Sequence, residues 1–287
     1  MAILLTRETR AIVQGITGKV GSIQTKWMVE YGTNIVAGVT PGKKGEKVYG
    51  VPVFDDVRET VEKFGANASV IFAPPAFAKD AVFEAIEAGI KLVVVVPEHV
   101  PVADAMEMRE MAEKGKVYML GPTTPGVITP GVGKLGIMPG NMFKPGKIGV
   151  ISRSGTLSYE VSGYLNEAGF GESTVVGIGA DPVTGMNMSE LLELFDRDDD
   201  TEAVVIVGEI GGTKEEEACE FIRKMSKPVV AYIAGRLAPP GKRMGHAGAI
   251  IQGEAGSFKS KIERLEEAGA KIALKLFEVP HILKGLL

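Results

Sequence analysis

Short runs of β-branched and other apolar residues alternate along the chain with stretches whose apolar positions recur every three or four residues. In the first half the runs AIVQGI (11–16), NIVAGVT (34–40), ASVIFA (68–73), KLVVVV (91–96) and KVYML (116–120) predict strands. Between them GSIQTKWMVEYG, VRETVEKFG, FAKDAVFEAIEAG and VADAMEMREMAEKG carry the helical period. The KLVVVV run is apolar on both faces, as a parallel strand covered by helices on both sides must be. Strand and helix in strict alternation predict an α/β fold with a doubly wound sheet.

The rhythm fills residues 1–121, which predicts a first domain. It breaks over 122–146, where glycine and proline are dense and no period survives. That stretch predicts an inter-domain connection running over the surface, with room for a short hairpin around GKLGIMP. The rhythm then resumes over 147–287 as a second α/β domain. Its predicted strands are KIGVIS, STVVGIG, AVVIVGEI and PVVAYIA; its predicted helices are TLSYEVSGYLNEAG, MSELLELFDRD, EEEACEFIRKM and SFKSKIERLEEAG. The halves share a rhythm but no residue-level repeat.

A chain of 287 residues, 45% of them apolar, has material for two cores. The net charge is −4 and the basic residues are dispersed, which argues against a nucleic-acid binder. No apolar run approaches the ~18 residues that span a bilayer, and the first residues lack the length of a secretory signal. With a single cysteine, Cys219, set in a helical pattern as an inert thiol, a cytoplasmic protein is expected.

Candidate chemistry gathers at strand ends. Gly15, Gly18 and Gly21 follow the first predicted strand and open the first helix. The place suits a dinucleotide fingerprint, but the spacing is G-x-x-G-x-x-G; an anion seat at a helix N-terminus is what the residues support. The second strand ends in Thr40, Lys43 and Lys44 with no acid before Glu46, which favours a nucleotide bearing an extra phosphate, NADP or coenzyme A, over NAD. A P-loop is absent: GRLAPPGKR has one spacer too many, and Arg243 stands where Ser or Thr would hold magnesium. In the second half Ser154, Gly155 and Thr156 open a helix, Glu209 ends an apolar strand, Asp181 ends another, and His246 sits among glycines after Lys242 and Arg243. His99 and His281 have no such company and are expected to be structural. No second His or Cys stands at ligand spacing, so no metal site is expected, and Ser154 lacks a nucleophile elbow. A nucleophilic histidine carrying a phosphoryl group, with a carboxylate fixing its tautomer, accounts best for His246 and Glu209.

Taken together, GKRMGHAGAII, SRSGTLSYE, GEIGG, GPTTPGVITPG and the N-terminal GITGKVG with YGTNIVAGVTPGKKG resemble the α subunits of succinyl-CoA synthetase (succinate–CoA ligase), in order and over essentially the whole chain. The resemblance implies a Rossmann-type CoA-binding domain, then a flavodoxin-like ligase domain, with Mg-ATP or Mg-GTP on a partner β subunit. It implies that His246 is phosphorylated, that Glu209 orients it, and that Ser154, Gly155 and Thr156 seat the phosphohistidine. Thr17, Gly18, Lys19 and Val20, with Lys43 and with Val96, Pro97 and Glu98, match CoA-contacting segments, and Tyr159 matches a position near the substrate. The expected reaction is reversible ligation of succinate and CoA driven by a nucleoside triphosphate. Thr124 stands where many bacterial relatives have cysteine, and Lys19-Val20 where many have smaller or polar residues; both leave the acid open. Ligation of malate, acetate or another acid and a non-catalytic CoA-sensing module remain alternatives, as does an NADP oxidoreductase.

Overall fold

A computed structural model describes residues 3–252 and 255–287. The first half contains strands β1 (Ala11–Gln14), β2 (Ile35–Val39), β3 (Lys47–Val48), β4 (Val51–Phe54), β5 (Ala68–Ile71), β6 (Leu92–Val95) and β7 (Tyr118–Leu120). Its helices are α1 (Lys19–Glu30), α2 (Val57–Phe64), α3 (Ala78–Glu87) and α4 (Val102–Gly115). The sheet order is β3-β4-β2-β1-β5-β6-β7, parallel except at the β3–β4 edge. Without β3, the strands stand third, second, first, fourth, fifth, sixth, the order of a Rossmann sheet. The order reverses at β1, and a ligand crevice is expected beyond the carboxyl ends of β1 and β5.

The second half contains β8 (Gly126–Thr129), β9 (Gly133–Gly136), β10 (Pro145–Ser152), β11 (Glu172–Gly177), β12 (Ala203–Glu209), β13 (Val229–Ala234) and β14 (Lys271–Ala273). Its helices are α5 (Gly155–Glu167), α6 (Met188–Arg197), α7 (Lys214–Ile222), α8 (Phe258–Glu267) and α9 (Val279–Lys284). The order β14-β13-β12-β10-β11 is the flavodoxin-like one, with the reversal between β10 and β12. Among the described residues no helix is long and apolar enough to cross a membrane.

One expectation fails. The stretch 122–146 is not a connection over the surface: β8 pairs antiparallel with β11, and β9 with β8, so the segment widens the second sheet and is largely buried. Its glycines hide this in the sequence. A Cβ on Gly126 would stand 1.9 Å from the Leu135 carbonyl oxygen, and one on Gly136 2.4 Å from that of Pro125, so the two strands meet where only glycine fits. Alternation cannot be read from residues without side chains. The short β3, β4 and β14 and the last helix α9 were also outside the predicted set.

The core explains why the two halves hold together. Along β6, Leu92 and Val94 face one apolar cluster and Val93 and Val95 the other, the period of a strand buried on both sides. The first cluster continues from Val13, Val70 and Leu120 into Val127, Ile151 and Val176 of the second sheet. A separate cluster around Val150, Val161, Val205 and Leu283 covers that sheet's other face. Polar ties reinforce the junction: Thr123 N–H donates to Pro97 O (3.1 Å), and Thr129 Oγ1 to Leu5 O (2.9 Å).

Candidate active site

Strands β10 and β12 lie side by side, with Ser152 opposite Val207, and both end at the reversal point of the second sheet. Glu209 is the last residue of β12. Past β10 the chain runs through Arg153 to Ser154, whose Oγ accepts from Leu157 N–H (3.3 Å) and caps α5. That bond satisfies one of the four unpaired N–H groups of the first turn, and the N–H groups of Gly155 and Thr156 remain for an anion, aided by the helix dipole. Helix α1 begins differently: its N-cap is Gly18, with no capping side chain. A Cβ on Gly21 would stand 2.2 Å from the Gly15 carbonyl oxygen, so glycine there lets α1 fold tightly back on the first turn.

His246 reaches this place from the long loop after β13. Its N–H donates to Met244 O (3.1 Å), its carbonyl accepts from Ala249 N–H (3.2 Å), and Gly248 N–H pins the loop to Ala180 O (3.1 Å). Nδ1 of His246 lies 2.7 Å from Oε2 of Glu209. A carboxylate can only accept, so Nδ1 carries the proton and Nε2 of the neutral ring keeps its lone pair. The Glu209 bond raises the His246 pKa above its ordinary value; partial burial opposes the rise. The imidazole is 35% exposed and the Glu209 carboxylate 8%, so an accessible ring stands on a buried anchor.

Below it, the Arg153 guanidinium is buried, with Nη2 3.3 Å from Oε1 of Glu209 and Nη1 3.2 Å from Oε1 of Glu215. Lys261 pairs with Oε2 of Glu215 and donates to Glu209 O (2.9 Å) and Gly211 O (3.0 Å). Nearby, Lys214 donates to Asp181 O and Thr184 Oγ1, 3.0 Å each, and burial brings its pKa down to about 8.

A cleft of about 770 Å³ opens between the two domains above this floor. Val20, Val96 and Glu98 line it from the first domain; Ser154, Gly155, Thr156, Tyr159 and His246 line it from the second. Burial raises the Tyr159 pKa, which keeps the phenol protonated. Thr17, Gly18, Lys19, Pro97 and Lys43 do not line the cleft itself. Thr17 and Gly18 lie in the turn that opens α1, where Thr17 Oγ1 donates to Thr40 Oγ1 (3.2 Å). Lys43 is exposed and paired with Glu46 (3.1 Å), and Lys44 with Glu59 (2.9 Å). Asp55 accepts the N–H groups of both lysines at 3.1 Å, an acid beside this loop that lies beyond the stretch read in the sequence. Thr124 donates to Gly177 O (2.6 Å) and accepts from Gly126 N–H (2.9 Å), so its hydroxyl is occupied in fixing the start of β8.

His99, expected to be structural, instead lines the cleft with an exposed side chain and a left-handed backbone (φ 63°). His281 lies on α9, exposed. The sequence reading missed Arg153, Glu215 and Lys261. The available signal was an arginine wedged between two serines directly after an apolar strand. Among the described residues no three His, Cys, Asp or Glu are grouped to hold a metal ion. Cys219 is buried, and burial pushes its thiol pKa up.

The chain is similar to known proteins over most of its length. The family model of the CoA binding domain matches residues 6–99, and that of CoA-ligase matches residues 151–271. The α subunit of ADP-forming succinate–CoA ligase from Methanothermobacter thermautotrophicus is 57% identical over 270 residues, 94% of this chain and 92% of its own. Subunit alpha 2 of the same enzyme from Archaeoglobus fulgidus is 54% identical over 287 residues, covering 100% of both chains. Among solved structures, ATP citrate lyase from Methanothrix soehngenii with citrate and coenzyme A superposes with a TM-score of 0.90 at 24% identity. That match covers 99% of this chain, which spans 50% of that one, and the likeness is one of fold.

Proposed function

Because the chain belongs to the family of succinate–CoA ligase α subunits, we propose that it is the CoA-binding and phosphoryl-carrying half of an ADP-forming succinate–CoA ligase, with His246 as the carrier. The observation that carries this is the imidazole whose Nδ1 is tied to Glu209 at 2.7 Å, in one cleft with the free N-terminus of α5. In the ligation direction Nε2 of His246 takes the γ-phosphoryl group of ATP and ADP leaves. The phosphoryl group then passes to a carboxylate oxygen of succinate, giving an acyl phosphate and restoring the imidazole. The CoA sulfur attacks the acyl carbon, losing its proton, and phosphate departs. Each step reverses. Catalysis at such a centre is positioning and charge stabilisation. Glu209 fixes the ring's tautomer, and the N–H groups of Gly155 and Thr156, with the dipole of α5, receive the phosphoryl charge. Tyr159 lies beside them on the cleft wall, suited to the acid.

The turn of Thr17, Gly18, Lys19 and Val20, together with Lys43, Val96, Pro97 and Glu98, forms the proposed CoA site. Its supports are the uncapped start of α1, the reversal point of the first sheet and the match of the CoA binding domain to residues 6–99. The relatives are named as α subunits of an ADP-forming ligase, which supports a partner subunit; the proposal puts magnesium and the nucleotide on that β subunit and the pair in the cytoplasm. A carrier on a loop meets the need to move phosphate between a CoA site in one chain and a nucleotide site in another.

The test joins the chain to its candidate β subunit with Mg-ATP, then digests it under alkaline conditions that preserve phosphohistidine. Phosphate is expected on the peptide holding His246 and is expected to leave on addition of succinate and CoA. His246→Asn should lose ligation and keep CoA affinity. Sustained turnover of that variant, or no phosphate on the native peptide beside an active nucleotide site, overturns the carrier role.

A further inference from the structure

Glu209 is held through its backbone N–H, its carbonyl and one carboxylate oxygen, while Oε1 is buried with an ion-pair contact and no hydrogen bond. Its N–H donates to Glu215 Oε1 (3.1 Å), and its carbonyl accepts from Arg153 Nη1 (3.1 Å) and Lys261 Nζ (2.9 Å). One carboxylate oxygen stands 3.3 Å from Arg153 Nη2, and the other lies on His246. Arg153 and Lys261 converge again on Gly211 O, at 2.8 and 3.0 Å. Arg153, Glu215 and Lys261 have essentially no exposed side-chain surface. Two cations and two carboxylates thus form a neutral set beneath the ring. Burying four charges carries a large desolvation cost before pairing, and stability alone would be served as well by apolar side chains of similar volume.

We infer that Glu215 and Lys261 are positioning residues for the phosphoryl carrier: through Arg153 and the Glu209 backbone they fix the carboxylate on Nδ1 of His246, and their opposite charges set how much of Glu209 the imidazole receives. This rests on the proposed role of His246. Arg153 is shared between Glu209 and Glu215, so whatever strengthens its hold on one weakens its hold on the other. Removing the Glu215 charge turns Arg153 wholly toward Glu209, which then holds imidazolium less well. Removing the Lys261 charge turns Arg153 toward Glu215 and leaves Glu209 to the ring. Among the described residues, the other titratable or charged groups lining the cleft with His246 are Glu98 and His99 from the loop after β6, Tyr159 from α5, Asp181 from the loop after β11 and Arg243 from its own loop, with Lys214 of α7 against the Asp181 backbone. They are the same in every variant below.

The test follows the His246 ring in the 15N-histidine-labelled full chain by NMR, assigned with His246→Asn, for Glu215→Gln, Lys261→Met and the double variant. Glu215→Gln is expected to lower the ring's titration midpoint by about one unit and Lys261→Met to raise it by a similar amount. The double variant is expected to return to within a few tenths of native. Simple loosening of the site would lower the midpoint in both single variants, so shifts of the same sign, or none, overturn the inference. If Glu215→Gln fails to fold, Lys261→Met against the charge-keeping Lys261→Arg decides alone: a rise confined to Met supports it, and a fall or no change sinks it. With the β subunit and Mg-ATP, phosphate uptake on the acid side of the native midpoint is expected to fall by up to about tenfold in Lys261→Met and to recover as pH rises. Native chain that titrates as described but takes up no phosphate would refute the carrier role and leave the charge coupling standing.

Discussion

In the proposed carrier role the imidazole of His246 has to be neutral to attack phosphorus, yet Glu209 raises its pKa. Below the raised value the ring is imidazolium with no lone pair on Nε2, so phosphate uptake should climb as pH rises through it. In Glu209→Gln the charge that raises the value is gone. The acid limb should then move to lower pH, while the rate on the plateau falls by about 10²-fold or more, because nothing fixes the tautomer. Rapid-quench phosphorylation across pH 5.5–9 measures both; an acid limb that stays in place would mean that Glu209 does not govern the ring's charge. Stability runs the other way with pH. A histidine whose folded pKa exceeds the ordinary 6.5 contributes its full stabilisation below 6.5 and loses it as pH rises through the folded value, and Glu209→Gln should erase that dependence. Glu209 was legible as a carboxylate ending an apolar strand beside glycines, and His246 as an imidazole among glycine and alanine in a strand-end loop. Arg153 was not, because its partners Glu209 and Glu215 lie 56 and 62 residues away and no local pattern announces them.

Helix α5 joins two duties in one residue, since Ser154 caps it and faces the cleft. Ser154→Ala should cost about 1 kcal/mol of stability and reduce phosphohistidine formation only severalfold, because the N–H groups of Gly155 and Thr156 remain. Ser154→Asp keeps an N-cap acceptor and places a negative charge where the phosphoryl group would sit. It should melt at or above the native temperature and form no phosphohistidine. Phosphate uptake by the Asp variant at the native rate would show that this helix start does not seat the phosphoryl group. Elements of this kind could be read from the chain wherever caps and periods agree. Asp56 before α2 with Gly65 after it, and the Asn187–Glu190 capping box of α6, are examples. The hairpin of β8 and β9 was legible only as room for a turn around GKLGIMP, and its place in the sheet was not, because its closest contacts are made by glycines, which carry no polarity pattern.

At the scale of the whole molecule, the cleft needs both domains held at a fixed distance, and the hairpin that widens the second sheet supplies part of that hold. Thr33, just past α1, exchanges hydrogen bonds with the backbone of Lys134 on β9, at 2.9 and 3.0 Å. Lys134 is 2% exposed, and its ammonium donates to Met138 O (2.6 Å) and lies 6.0 Å from the Trp27 ring of α1. Burial alone brings its pKa from 10.5 down to about 8. Between these values the unfolded chain binds the proton and the folded chain does not, so native stability rises with pH through that window. Below it the buried charge is a standing penalty of roughly 3 kcal/mol. Lys134→Met removes that penalty and keeps a long apolar stem against Trp27, but it leaves the Met138 carbonyl unpaired, at about 1–3 kcal/mol. At pH 7 the variant should therefore be more stable by about 1 kcal/mol. Near pH 10.5 the native lysine has shed its proton and the variant should be the less stable of the two. Urea unfolding at pH 7 and pH 10.5 measures the difference, and titrations common to both chains cancel from it. A difference of constant sign and size would mean that Lys134 stays charged between the domains, and that the junction tolerates a buried cation at no cost.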